Sequence, residues 1–452
     1  MSGAREYDVI VLGGGPAGEH CAARLADGGA SVAIVERELL GGECSYWGCI
    51  PSKTLLRPGE ALQGAREAPG AREAVKGGID AEAAFAWRDF MVSDYSDAGQ
   101  AAWAEGAGID VIRGSGRLAG PGRVEVGDDV FAARDIVIST GSEPVIPPID
   151  GLRELEGVWT NREATALNEV PRRLVVLGGG PIGVEMAQTV SRMGGSVALV
   201  EGMDHLLPRE PRALGDALGE ILSGEGVELC FGQLASAVRR DDGEFVVEFP
   251  ERSELRGDRL LVATGRRPRH RDIGLETVGI EPARNGIEVD ARMNAGDGIW
   301  AIGDVTGIWP LTYVGKYQGR VAAANILGLA REANYDAVPR VVFTDPQAAA
   351  VGESEGPLMA TARLSEVPRT ATYTRAYAEK PGFMTLVSDG ERLTGARAVG
   401  PDAGEWLQQA TVAIRARVPL DVMDDVIQPF PTFSEVFLHA LLELRANVPA
   451  PA

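Results

Sequence analysis

Tyr7-Asp8-Val9-Ile10-Val11-Leu12-Gly13-Gly14-Gly15-Pro16-Ala17-Gly18 reads as a short apolar strand running straight into a glycine turn. A helical stretch, Glu19 to Ala26, follows, and then a second strand, Ser31 to Val35, that ends on Glu36. Strand, glycine turn, helix, strand and acidic residue form the dinucleotide-binding fingerprint in its required context. Gly13 permits the tight turn, Gly15 lets a pyrophosphate approach the backbone, and Gly18 allows close helix–strand packing. The helix N-terminus adds a partial positive charge. Glu36 is placed to accept hydrogen bonds from an adenosine ribose. The unit recurs: Leu174 to Leu177 leads into Gly178-Gly179-Gly180-Pro181-Ile182-Gly183, then a helix, then Ser196 to Val200 and Glu201. Two complete units in one chain imply two separate dinucleotides.

Shortly after the first unit comes Gly41-Gly42-Glu43-Cys44-Ser45-Tyr46-Trp47-Gly48-Cys49-Ile50-Pro51-Ser52-Lys53. A cysteine pair behind a nucleotide-binding unit suggests a disulfide that takes electrons from a bound cofactor. Zinc is a poor reading, because the other cysteines, Cys21 and Cys230, are isolated and better suited to packing, so no metal is expected. A purely structural disulfide does not suit a long chain with ample core and no secretory signal.

The bulk numbers set outer bounds. At 452 residues the chain should hold two to four domains, and its 45% hydrophobic content fits an ordinary globular protein. The N-terminus runs directly into a strand without a basic leader, and no apolar run is long enough to span a membrane. A cytoplasmic protein is the resulting expectation. A net charge of −21 argues against nucleic acid or an anionic membrane as partner. Lysine occurs only at Lys53, Lys76, Lys316 and Lys380, so its placement behind the cysteine pair stands out.

Ile136 to Gly141 and Leu260 to Gly265 each read as a buried strand ending in Thr-Gly, with Thr140-Gly141 and Gly265 at the turns. Gly298 to Asp304 is a strand ending on an acidic residue. From about Arg340 the texture changes to strands such as Phe383 to Val387 and to helices at Gly404 to Arg415 and Ser434 to Leu444. That pattern suggests a separate α+β domain, with Arg331 to Pro339 as the best boundary.

Taken together, these residues resemble the class I pyridine nucleotide-disulfide oxidoreductases, the family of dihydrolipoamide dehydrogenase, glutathione reductase and mercuric reductase. The resemblance covers nearly the whole chain and includes Ile302-Gly303-Asp304 and Val342-Phe343-Thr344-Asp345-Pro346. It implies an α/β fold: two Rossmann-like dinucleotide-binding domains, for FAD and NAD, and a C-terminal α+β dimerisation domain. The expected division is 1–148 for the first part of the FAD domain, 149–269 for NAD(H), 270–338 for the return segment and 339–452 for the interface.

By the same resemblance, Gly13, Gly15, Pro16, Ala17, Gly18, Glu36, Gly42, Thr140, Gly141, Gly303 and Asp304 would serve FAD. Asp304 would meet the ribityl chain. Gly178, Gly180, Pro181, Ile182, Gly183, Glu201 and Gly265 would serve the nicotinamide cofactor. An NADP site would want arginines where Glu201 stands, so NAD(H) is favoured over NADP(H). Cys49 resembles the flavin-proximal sulfur and Cys44 the interchange sulfur. Pro51 suits a helix start, so a helix N-terminus and Lys53 would favour the Cys49 thiolate. Lys53 would pair with Glu185 near the flavin. A homodimer is expected, since the family's active site is shared between subunits.

The chain also departs from the family. Its disulfide reductases carry a His-Pro-Thr-x-x-Glu segment whose imidazole shuttles the substrate proton. Here Phe430-Pro431-Thr432-Phe433-Ser434-Glu435 keeps the frame, but Phe430 cannot transfer a proton and Glu435 has nothing to orient. His20, His205, His270 and His439 are no replacement, and the tail lacks mercuric reductase's cysteine pair. Tyr46 and Trp47, with Phe430, would make the substrate surroundings aromatic and suit an aryl disulfide or a quinone; core packing of Tyr46 and Trp47 is the alternative. The leading expectation is electron transfer from NADH through FAD and Cys44–Cys49 to a small-molecule disulfide. A diaphorase-type NADH:acceptor reductase working from the flavin, or a non-enzymatic redox sensor, stays open.

Overall fold

The computed structural model describes residues 5–367 and 380–447. The extreme ends, 1–4 and 448–452, which entered the readings on a leader and a terminal cysteine pair, lie outside the described residues. The chain divides into two compact units.

The first unit comprises Met1–Pro51, Trp87–Val145 and Gly265–Asn334. Its main sheet runs in the order Asn294–Gly296, Ile299–Ala301, Asp129–Ile138, Arg5–Leu12, Val32–Glu36, Ile109–Arg113. Arg5–Leu12 pairs in parallel with both neighbours, so Leu12 lies opposite Val35 on one side and Ile138 on the other. Val9, Ile10 and Val11 are fully buried, as expected for a parallel strand covered on both faces. The three strands end at one edge, where the Gly13 amide donates to Val35 O and the Ser139 amide to Leu12 O. This carboxyl edge is where open α/β sheets bind ligands.

Helix Pro16–Asp27 starts from that edge, and helix Thr312–Ile326 packs along it. Two glycines permit the close approach: a Cβ at Gly319 would lie 2.8 Å from Ala17 O, and one at Gly315 would lie 3.1 Å from Ala17 Cβ.

The second unit comprises Ser52–Ala86, Ile146–Thr264 and Tyr335–Ala452. A parallel sheet runs Glu228–Phe231, Ser196–Glu201, Arg173–Leu177, Arg259–Val262, and helix Pro181–Arg192 follows its third strand in that order. Leu55 and Phe85 share a core with Val184, Met186 and Leu199, which explains why Ser52–Ala86 groups here. Further along, an antiparallel sheet runs Arg340–Val342, Gln347–Gly352, Leu393–Gly400, Phe383–Ser388, Leu358–Arg363. Met384, Leu386 and Ala398 pack against Phe437, Leu441 and Leu444 of helix Ser434–Ala446. The helix expected over Gly404 to Arg415 is present as Ala403–Trp406 and Gln408–Ala416, which run on through Leu407 with helical dihedrals and with Leu407 N donating to Ala403 O at 3.1 Å. Trp406 donates its indole N–H back to Pro401 O at 2.6 Å, tying the first short helix to the preceding turn. Among the described residues no helix is long and apolar enough to cross a membrane.

Candidate functional site

In the first unit the glycine turn has the shape of a phosphate cradle. A Cβ at Gly18 would lie 2.1 Å from Gly13 O, and one at Gly42 would lie 2.8 Å from Gly15 Cα, whereas Gly15 has nothing within 4 Å of such an atom. Gly15 caps helix Pro16–Asp27 without a side-chain hydrogen bond, so the helix N-terminal amides keep their capacity for an anion. Glu36 is buried and braces the turn, its two oxygens accepting the amides of Gly14 at 2.8 Å and Glu38 at 2.7 Å. Thr140 Oγ1 donates to Arg269 O at 2.6 Å, and Gly141 takes a φ of 75°. Asp304 Oδ2 accepts from Ser142 Oγ at 2.6 Å. Its other oxygen has no hydrogen-bond partner among the described residues. The residues expected for FAD thus converge on one edge, with an open cradle and a spare carboxylate acceptor, and they fit the cofactor.

The cysteines belong to the same unit. Cys44 sits in the short helix Gly42–Tyr46, and Cys49 opens helix Cys49–Glu67, two residues earlier than Pro51 suggested. Gly48 makes the tight return possible: a Cβ there would lie 3.2 Å from Cys44 Cα. Both residues are partly exposed thiols. A hydrogen bond to Cys49, then burial, then the charge of Cys49 push the Cys44 thiol well above the ordinary range. Cys49 has the helix N-terminus behind it, which favours a thiolate.

Thr312, at the first position of helix Thr312–Ile326, places Oγ1 3.2 Å from Cys49 Sγ. No local signal in the sequence marks this residue. A second feature that the sequence did not reveal is Arg266, whose guanidinium lies 3.6 Å from Glu43 Oε2 and donates to Ser142 Oγ at 2.8 Å.

The aromatic reading is corrected for Tyr46. Its ring is 1% exposed, and its hydroxyl donates to Leu40 O at 3.0 Å, so it is a satisfied core residue and does not line a substrate site. Trp47 is half-buried, tilted against Tyr46 with centroids 5.7 Å apart and stacked on Tyr95 at 6.4 Å.

In the second unit Lys53 Nζ lies 2.8 Å from Glu185 Oε2. The second nucleotide turn repeats the first. A Cβ at Gly183 would lie 1.9 Å from Gly178 O, Gly180 is open, and Glu201 accepts the amides of Gly179 at 2.7 Å and Met203 at 3.0 Å. Pro181 and Ile182 begin the helix, and Gly265, assigned by contact to the first unit, has a φ of 132°. Within the second unit, the turn Gly178 to Gly183 with Glu201 fits a second dinucleotide. Phe430 is 67% exposed, and Glu435 keeps one buried oxygen with no hydrogen-bond partner among the described residues.

Two nucleotide cradles and a dithiol define a class. Residues 7–319 match the family model described as pyridine nucleotide-disulphide oxidoreductase, and residues 338–441 match its dimerisation domain. The chain belongs to this family, whose members are enzymes that use FAD and a pyridine nucleotide. It is 35% identical over 453 residues to dihydrolipoyl dehydrogenase of Thermus scotoductus, covering 96% of this chain and 97% of the relative. Mercuric reductase of Acidithiobacillus ferrooxidans is 34% identical over 451 residues, covering 95% and 81% respectively. Among solved structures, a Cu(II) complex of the HOCl-induced flavoprotein disulfide reductase RclA from Escherichia coli has a TM-score of 0.85 at 29% identity, covering 98% of this chain and 100% of that one. LpdA of Mycobacterium tuberculosis gives 0.85 at 27% identity with the same coverage. The fold is the α/β flavoprotein architecture anticipated from the sequence, and the dimerisation domain supports a homodimer.

Proposed function

We propose that the chain is an NADH-oxidising disulfide oxidoreductase whose Cys44–Cys49 couple hands electrons to a small-molecule acceptor. FAD, when bound, supplies the two-electron relay between the nicotinamide and that couple. The observation that carries the reading is the placement of the two sulfurs: Cys49 lies at a helix N-terminus with Thr312 Oγ1 3.2 Å away, and a hydrogen bond to Cys49, with burial, keeps the proton on Cys44. Lys53 is held by Glu185, and Glu201 favours NADH over NADPH. The compartment we infer is the cytoplasm.

Turnover on a disulfide needs two exchanges. Cys44 yields its proton to solvent and attacks one sulfur of the acceptor as the thiolate, breaking its S–S bond and releasing one thiolate, which takes up a proton in turn. Cys49 thiolate then attacks the Cys44 sulfur, restoring the internal disulfide and releasing the second thiolate. Without an imidazole at position 430, the acceptor should leave as a weakly basic thiolate. Leaving-group thiols of low pKa depart faster, so an aryl disulfide suits the site better than an alkyl one.

Anaerobic titration with NADH tests the proposal. Uptake beyond the flavin's own two electrons, with a long-wavelength thiolate–flavin band, supports a working couple; bleaching of the flavin alone counts against it. A second reading, direct reduction of quinone-like or other acceptors from the flavin, draws on Phe430 standing at the proton-transfer position. Cys44→Ser separates the two: activity lost supports the couple, and activity retained supports the direct route.

A further inference from the structure

Cys49 Sγ has a hydroxyl beside it that neither the nucleotide turns nor the cysteine motif require. Thr312 Oγ1 lies 3.2 Å away, contributed from a position 263 residues further along the chain. The hydroxyl caps no helix and is turned to the cysteine pair, reaching Cys44 as well as Cys49. Its helix runs fifteen residues, Thr312–Ile326, and Thr312 is the first of them. The position is rigid, because Gly315 and Gly319 press that helix onto Ala17 and Cys21.

We propose that Thr312 is a catalytic residue whose hydroxyl donates to the Cys49 sulfur and holds it as the thiolate of the reduced pair. Two electrons and one proton open the Cys44–Cys49 bond, the electrons coming from NADH through the flavin. The proton resides on Cys44 and the negative charge on Cys49. A hydroxyl donor and a helix N-terminus both stabilise the charged sulfur and not the neutral one, so they act only after reduction. This inference rests on Cys44–Cys49 being the working couple.

The test uses the holoenzyme in a Cys44→Ser background, which leaves Cys49 as the only thiol of the pair. Its ionisation is followed by the thiolate–flavin band against pH, and independently by the rate of iodoacetamide alkylation assigned to Cys49 by mass spectrometry. Adding Thr312→Val should raise the midpoint by about one pH unit and slow alkylation near neutrality about tenfold, the scale of one hydrogen bond to a charged group. Thr312→Ser should restore both, which a merely packing role for the threonine would not do. An unchanged midpoint in Thr312→Val overturns the assignment to Thr312 alone. If Cys49 shows no titrating band even with Thr312 present, the reading of the couple falls, and this inference with it.

Discussion

Lys53 Nζ lies 2.8 Å from one oxygen of Glu185, and the other oxygen of Glu185 accepts the Phe343 amide at 3.0 Å. The ring of Phe343 also lies under the ammonium, 4.7 Å from its centroid. The carboxylate is 5% exposed and the ammonium 35%, so one partner is desolvated and the other reaches water. Glu185→Gln keeps the amide contact and loses the charge, and should cost about 1 kcal/mol in urea unfolding. Glu185→Ala leaves the Phe343 amide unsatisfied as well and should cost roughly 2–3 kcal/mol. Equal costs for the two variants would mean that the Phe343 amide adds nothing.

Gly18 and Gly183 occupy matching places in the two cradles, 2.1 and 1.9 Å from a carbonyl oxygen once a Cβ is added. Gly18→Ala should purify with little flavin. Gly183→Ala should keep its flavin but bind NADH about tenfold or more weakly. Flavin absorbance and NADH titration separate the two effects, and the reverse pattern would exchange the cofactor assignments.

Glu19 is the buried carboxyl most exposed to pH effects. Burial lifts it to about 7, with Lys316 pulling down and Glu36 adding a smaller upward push. One of its oxygens has no hydrogen-bond partner among the described residues. Because the folded chain binds this proton more tightly than the unfolded chain, the Glu19 contribution is fully present below the ordinary carboxyl range. It falls as pH climbs towards about 7 and is flat above that. Glu19→Gln should therefore stabilise the flavin-free protein by roughly 2 kcal/mol at pH 8 and change little at pH 4, read by urea unfolding.

Phe430→His would restore the imidazole of the family's His-Pro-Thr-x-x-Glu segment, in which Glu435 keeps a buried oxygen with no hydrogen-bond partner among the described residues. Turnover of lipoamide or another alkyl disulfide should rise by about 10²-fold, the lower range of general acid–base catalysis. No gain would mean that the rest of the substrate site has diverged too.

Val422, Val426, Ile427 and Phe430 are exposed apolar side chains within the dimerisation segment, and Ile427 is 95% exposed. A run of this kind on a lone chain marks an interface. Ile427→Glu should shift the mass by light scattering from dimer towards monomer at micromolar concentration. An unchanged dimer would locate the interface elsewhere in the segment.

Contiguous residues made much of this chain legible. The two nucleotide units could be read from the sequence because strand, glycine turn, helix and acidic residue are set by local sterics and by amides at a helix start. The spacing of Cys44 and Cys49 was legible for the same reason, since one tight turn at Gly48 brings them together. Tyr46 was not, because whether an aromatic next to a reactive cysteine faces substrate or core depends on Leu40 and the residues around it.

The sequence by itself determined the family and the cofactor classes, both of which rest on short motifs whose chemistry is local. Tertiary structure alone decided that Thr312 meets Cys49 across 263 residues, whereas the Lys53–Glu185 pair across 132 residues was already implied by the family resemblance and is present at 2.8 Å. It also decided that Ser52–Ala86 packs into the second unit. Those relationships arise from how distant strands and helices pack, and no periodicity along the chain encodes which hydroxyl will arrive beside a given sulfur.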